Sequence, residues 1–190
     1  MKRSVKKGDI GEELVITELN KMGDEQYLIN NLIILGDNDV SHQFDHILIR
    51  HNGVFIIETK NYFGKISGKQ DDTYWYKTYV NKGKVIKDKF MNPIKQNNAH
   101  IRVLKRIIGR DIPFINFVVF VNNDVSHLGI YRVTNLDQLN IRIKTWEVDN
   151  PIDSNKMKRI NDVLLYSEAD LQNEDHVKNI KKMKRDRYLK

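Results

Sequence analysis

Gln43-Phe44-Asp45-His46-Ile47-Leu48-Ile49-Arg50-His51-Asn52-Gly53-Val54-Phe55-Ile56-Ile57-Glu58-Thr59-Lys60-Asn61 is the stretch on which the fold turns. Two apolar runs flank Asn52-Gly53, a dipeptide that favours a two-residue hairpin turn because both residues tolerate positive φ. The predicted strands are 43–51 and 54–61. With Asn52 and Gly53 as the turn, His51 faces Val54. Asp45 then lies opposite Lys60, and Ile47 opposite Glu58. Side chains alternate with a period of two, so Asp45, Glu58 and Lys60 share one face. Asp45 and Glu58 become diagonal neighbours, roughly 7–8 Å apart. A slip of one residue would divide the set between two faces.

The neighbours of these three residues are almost all apolar, so both strands read as covered on both faces. Two carboxylates and a lysine in such strands are costly to bury unless they are paired or bind a metal. One reading is a cross-strand ion pair that is purely structural. The other is a site for Mg²⁺ or Mn²⁺, which take one or two carboxylates plus waters and substrate phosphate. Lys60 would then orient the attacking water or neutralise the phosphate.

Outward from this hairpin, Gly8 to Glu13 opens a helix with Ile10, Leu14, Val15, Leu19 and Met22 at helical spacing. Residues 27–35 read as a strand, and 64–68 and 73–80 as shorter strands. Asn92-Pro93 starts a second helix, with Asn92 as cap, Ile94, Ile101, Leu104 and Ile108 as its buried side, and Gly109 at its end. Residues 114–121 form a buried strand, 131–133 and 141–148 short strands. Residues 154–167 form a helix with Ile160, Val163 and Leu164 inward. The expected fold is α/β, a mixed central sheet flanked by helices. Residues 1–125 are its core, 126–170 complete the same domain, and 171–190 are a basic helix or tail.

The chain has 190 residues and no cysteine, which excludes disulfides, cysteine zinc sites and thiol nucleophiles. A cytoplasmic setting agrees with this. The start of the chain does not read as a secretory signal, and no apolar run suffices to span a bilayer, so no membrane partner is expected. The formal net charge is +7. Lys2, Arg3, Lys6 and Lys7 supply +4 of it and residues 178–190 a net +6, which leaves −3 for residues 8–177. Basic ends hold a polyanion without sequence preference, or are simply solvated.

Residues 8 to about 122 resemble the nuclease-related domain (NERD), a branch of the PD-(D/E)XK nuclease superfamily. The resemblance rests on Gly8-x-x-Gly11-Glu12, Gln43 to Ile47, Gly53 to Asn61, Gly64 to Gly68, Trp75, and Asn92-Pro93-x-x-Gln96. The superfamily signature, an aspartate followed one strand later by Glu-x-Lys, maps onto Asp45 and Glu58-Thr59-Lys60. Phe44 stands where the superfamily often has proline. The resemblance implies a restriction-endonuclease-like fold and a metal-dependent nuclease acting on DNA. It implies Asp45, Glu58 and the Thr59 main-chain carbonyl as metal ligands. Glu12 would support the metal shell, and Gln96 would position substrate.

Bland readings stand beside several of these. Asp9-x-x-Glu12 is close to a helix capping box. Gln96 falls in the first turns of a helix and could face solvent. Gln43 shares the face of Asp45 and is held as a neighbour of the site. His42 and His46 lie about 13 Å apart along a strand, too far for one metal, and on the face opposite Asp45. His100 reads as a helix-surface residue. Tyr74, Trp75 and Tyr76 either stack on bases or pack a strand. The competing functions are a non-catalytic nucleic-acid-binding module and a module that recruits a protein partner through 171–190.

Overall fold

The computed structural model describes residues 7–35 and 41–172. The element order is α1 (Lys7–Asn20), β1 (Tyr27–Leu35), β2 (Ser41–Arg50), β3 (Gly53–Lys60), β4 (Lys65–Ser67), β5 (Tyr74–Asn81), β6 (Lys84–Met91), α2 (Pro93–Ile107), β7 (Phe114–Phe120), β8 (Val133–Asn135), α3 (Leu139–Lys144) and α4 (Ser154–Gln172). Five strands form a mixed central sheet in the order β1-β2-β3-β7-β8. β1, β2 and β3 pair antiparallel, and β3–β7 and β7–β8 parallel. β4, β5 and β6 make a separate antiparallel sheet. The fold is the expected α/β layout. The expected C-terminal basic helix lies outside the described residues from residue 173 on.

Helices cover both faces of the central sheet, because β3 and its neighbours are apolar at nearly every position. On one face, Ile47, Ile49, Val54 and Ile56 pack with Val103 and Leu104 of α2 and with Met157, Ile160 and Leu164 of α4. On the other, Leu48, Phe55 and Ile57 pack with Val15 and Leu19 of α1, with Met22 just after it, and with Leu139 and Ile143 of α3. Trp75 and Ile66 seat the small sheet against Val118, Phe120 and Val133, at one end of the large one.

The hairpin register differs from the expected one by two residues. Arg50 pairs with Gly53 and Ile47 with Ile56, so the turn is His51-Asn52. Two local demands explain this. The Asn52 Nδ2 donates to the carbonyls of Ile143 (2.7 Å) and Trp146 (3.0 Å), drawing the turn onto the end of α3. Gly53 is already a strand residue, where a Cβ would sit 2.9 Å from the Pro113 carbonyl oxygen. A shift of two keeps the paired side chains from Ile47 to Ile56 on their expected faces. The true two-residue turn of Asn-Gly type is Lys82-Gly83, both at positive φ, between β5 and β6.

Other expectations need correction. Residues 141–148 are not a strand: Leu139 and Ile143 are buried at helical spacing in α3, while Ile141 is exposed. Ile10, Leu14 and Val163 are exposed; the hydrophobic contacts of α1 come from Val15 and Leu19, joined by Met22 just past its end. The short strand near 131 runs Val133–Asn135. Strand β6 was not foreseen; its alternation is weak because its inward side is only half-buried.

α2 is held to the sheet by a buried amide network. The Asn97 Nδ2 donates to the carbonyls of Ile56 (3.0 Å) and Phe117 (2.9 Å). The Asn116 Nδ2 donates to the Ile94 carbonyl (2.8 Å) and to Asn98 Oδ1 (2.9 Å). At the start of the helix, Asn92 Oδ1 accepts from Ile94 N, and its Nδ2 donates to the Gln70 and Asp72 carbonyls. No helix among the described residues is long and apolar enough to cross a membrane. Asn97→Leu is expected to cost about 2–4 kcal/mol, since it leaves buried carbonyls without their donor. Urea unfolding followed by circular dichroism measures this, and a loss below about 0.5 kcal/mol would contradict the role given to Asn97.

Candidate active site

The site forms where the β2–β3 ladder ends. The last paired residues are His46 and Ile57. One residue further, both β1 and β2 change face together. Asn31 has φ +56°, and Asn31 and Asp45 drop out of an otherwise continuous β1–β2 register. Ile29 and Leu32 on β1, and Phe44 and Ile47 on β2, therefore all point into the same core although each pair is three residues apart. Asp45 sits at this inversion, half-buried. Its Oδ2 accepts a 2.8 Å hydrogen bond from Thr59 N, standing in for the backbone partner that β3 lacks here.

Glu58 follows on β3, on the side of Ile56 and α2. It is 2% exposed. Its Oε1 accepts from Lys60 Nζ at 2.5 Å, while its Oε2 is buried without a partner. Burial and the charge of Glu58 push the Asp45 carboxyl up to about 6, against the Thr59 amide and Lys60. Burial opposes the Lys60 ammonium, but Glu58, by charge and hydrogen bond, with Tyr62 and Asp45 behind it, holds its pKa above the usual lysine value. The expected trio is thus gathered, by a route different from simple alternation: Asp45 reaches the others from a kink.

The Thr59 peptide is held from its other end. Burial keeps the His46 imidazole neutral by pushing its pKa down to about 4. Nδ1 of His46 lies 2.8 Å from Asn30 Oδ1, an acceptor, and so carries the proton. The Thr59 hydroxyl then donates to Nε2 at 3.0 Å. Lys60 O accepts from Val121 N on the β7 side. Strand alternation turns the preceding Thr59 carbonyl the opposite way, toward Asp45.

Glu12 reaches the site from α1. A Cβ at Gly11 would lie 2.8 Å from Asn61 Cβ, so glycine lets the helix approach the end of β3 closely. Burial and the charge of Asp45 raise the pKa of half-buried Glu12, and the Asn31 amide opposes them. Asp9 lies inside the first turn of α1 and not at its N-cap, so Asp9-x-x-Glu12 is not a capping box. Among the described residues, no three histidine, aspartate or glutamate side chains are placed to hold a metal together. Asp45 and Glu58 are the carboxylates coupled through Thr59 and Lys60, with Glu12 at the edge of the group. Gln96 is half-buried in the first turn of α2, its N–H on the Asn92 carbonyl.

Gln43 is exposed and makes a 3.4 Å contact with Asn31 Oδ1. His42 and His46 face opposite sides because the strand inverts between them. His42 meets His100 edge-on with ring centres 5.7 Å apart, and His46 faces Asn30. His100 is buried against Phe44, not on the helix surface. Asn30, Asn31 and the Thr59 hydroxyl were missed by sequence reasoning. The signal was Asn30-Asn31, two polar residues in the middle of an apolar strand.

A divalent cation fits this donor set on one observation above all, the orphaned buried oxygen of Glu58 beside the Asp45 carboxylate. Burial first, and then the Glu58 charge, disfavour the ionised Asp45 carboxyl, and a bound cation would offset both.

Burial, with His42 and Lys60 adding, pushes His100 down to about 4. An unfolded histidine titrates near 6.5, so the unfolded chain binds the proton first. The contribution of His100 to stability is full above about 6.5 and is lost as the pH falls toward about 4. Thermal melts of wild type and His100→Gln across this window are expected to show a shallower loss in the variant; parallel slopes would contradict it.

Residues 7–121 match the sequence profile of the nuclease-related domain. An uncharacterized protein of Bacillus anthracis is 35% identical over 115 residues, which are 60% of this chain and 52% of that protein. The chain thus spans about half the length of this relative. No solved structure matches the chain significantly. The matched segment covers more than half of the chain and contains every candidate site residue, and the chain belongs to the nuclease-related domain (NERD) family.

Proposed function

We propose that this chain is a metal-dependent nuclease that hydrolyses phosphodiester bonds in DNA, using Mg²⁺ or Mn²⁺. The observation that carries the reading is Glu58: a carboxylate buried in a central strand, one oxygen on Lys60 and the other on nothing. Membership of a nuclease-related family points the same way.

Asp45, Glu58 and the Thr59 carbonyl would hold the ion. When bound it would supply positive charge to the phosphate and acidify a water. Lys60, an ammonium between two carboxylates, stays protonated. Its part is therefore to neutralise charge on the scissile phosphate, not to take a proton. Glu12 accepts a hydrogen bond from water at the edge of the site. Gln96 donates its amide to the substrate. The Asn97–Asn116 network keeps Gln96 in place by pinning α2 to β3 and β7.

A polyanion has a surface beside this site. α2 lines an open groove with Arg102, Lys105 and Arg106, joined by Arg110 and by His42. His42 leads back to the centre through His100, whose charge Lys60 opposes.

A non-catalytic binding module is the second reading. The observation in its favour is the Glu58–Lys60 ion pair, which offsets the Glu58 charge without a metal. Incubation of the purified chain with plasmid DNA and Mg²⁺ separates the two. The nuclease reading expects cleavage that EDTA abolishes and that falls about 100-fold or more in Glu58→Ala and Lys60→Ala. Cleavage that survives either substitution would defeat the assignment.

A further inference from the structure

The small sheet β4–β5–β6 presents a second surface. Its inner side is occupied: Trp75 is fully buried and stacks on Phe120. The pairing Tyr76–Lys89 and Thr78–Lys87, with Lys65 opposite Thr78, places Tyr74, Tyr76, Lys65, Lys87 and Lys89 together on the outer side. Tyr74 is 46% exposed and Tyr76 36%. Lys89 Nζ lies 5.0 Å from the Tyr74 ring centre, and Lys87 Nζ 4.3 Å from that of Tyr76. Asp88, the one acid of β6, points the other way and takes the Tyr79 hydroxyl (3.0 Å) and Lys77 (3.7 Å). The outer strand positions therefore carry three positive charges, two open aromatic rings and no carboxylate.

This combination suits one chemistry. A flat, electron-rich ring recognises a base face, and an ammonium beside it recognises a phosphate. A duplex hides its base faces in the stack and can use only the lysines. Tyr74 and Tyr76 are two residues apart on a strand, about 6.8 Å, which allows each to meet a different base. The sheet is also inserted between the two halves of the candidate site: β3 ends at Lys60 before it, and α2 with Gln96 begins at Pro93, two residues after β6.

We propose that the outer face of β4–β5–β6 binds single-stranded nucleic acid, with Tyr74 and Tyr76 stacking on bases and Lys65, Lys87 and Lys89 on the backbone. The proposal rests on the nuclease reading only where it names the bound strand as substrate; binding itself does not require cleavage.

The test uses the full chain in EDTA, with a fluorescent oligothymidylate of about 20 nucleotides and a duplex of equal length, read by anisotropy. The single strand is expected to bind more tightly than the duplex. Tyr74→Ala with Tyr76→Ala is expected to weaken single-strand binding about tenfold or more and to leave duplex binding unchanged. The paired Phe substitutions keep the rings and are expected to keep binding. Lys87→Ala with Lys89→Ala is expected to weaken binding and flatten its salt dependence.

Unchanged single-strand binding by a tyrosine-to-alanine variant that retains the wild-type circular dichroism spectrum overturns the proposal. So does loss of a wild-type dimer in that variant, which would make the face a contact between copies of the chain. Assays in Mg²⁺ keep the two readings apart. Ring-dependent binding by a chain that cuts nothing supports the platform and removes the nuclease. Cleavage with ring-independent binding does the reverse.

Discussion

A carboxylate buried in a strand covered on both faces is the constraint around which this molecule is arranged. Glu58 lies in β3, where nearly every other side chain is apolar and inaccessible. Desolvating a carboxylate is costly unless its oxygens are matched. Lys60 matches one oxygen and leaves the second open. Asp45 adds a second negative charge within reach, which makes the ion-free arrangement harder to sustain. Stability alone would be served better by apolar residues at positions 58 and 60 together.

The surrounding structure keeps that arrangement in place. Asp45 occupies the point where β1 and β2 invert, and it takes over a backbone hydrogen bond with its side chain. Thr59 is clamped between this bond and neutral His46. Glycine at position 11 brings Glu12 to the end of β3. The amides of Asn97 and Asn116 fasten α2, so that the elements bearing Glu58 and Gln96 do not move independently. Rigid elements, rather than loops, carry Asp45, Glu58, Lys60 and Gln96, as a preorganised site requires.

Much of this was legible in the residues, and the failures have physical causes. Period-two alternation on either side of Asn52-Gly53 identified the central strands and placed Glu58 and Lys60 on one face. The turn was misplaced because its decisive contacts, Asn52 with the end of α3 and Gly53 with Pro113, are made by segments far away in the chain. Alternation could not foretell the kink at Asp45, which needs Asn31 at positive φ in the partner strand. A short apolar run fits either period, so residues 141–148 read as a strand in the sequence although residues 141–144 belong to α3. The burial of His100 depends on Phe44 and on α2 lying over that end of β2, a tertiary fact.

Binding of Mn²⁺ to the full chain, measured by calorimetry without nucleic acid, tests the central claim most directly. The account predicts one site in the wild type, weakened about tenfold or more when either Asp45→Asn or Glu58→Gln removes a charged ligand. Absence of Mn²⁺ binding by the wild type, or wild-type affinity in either variant, would contradict it.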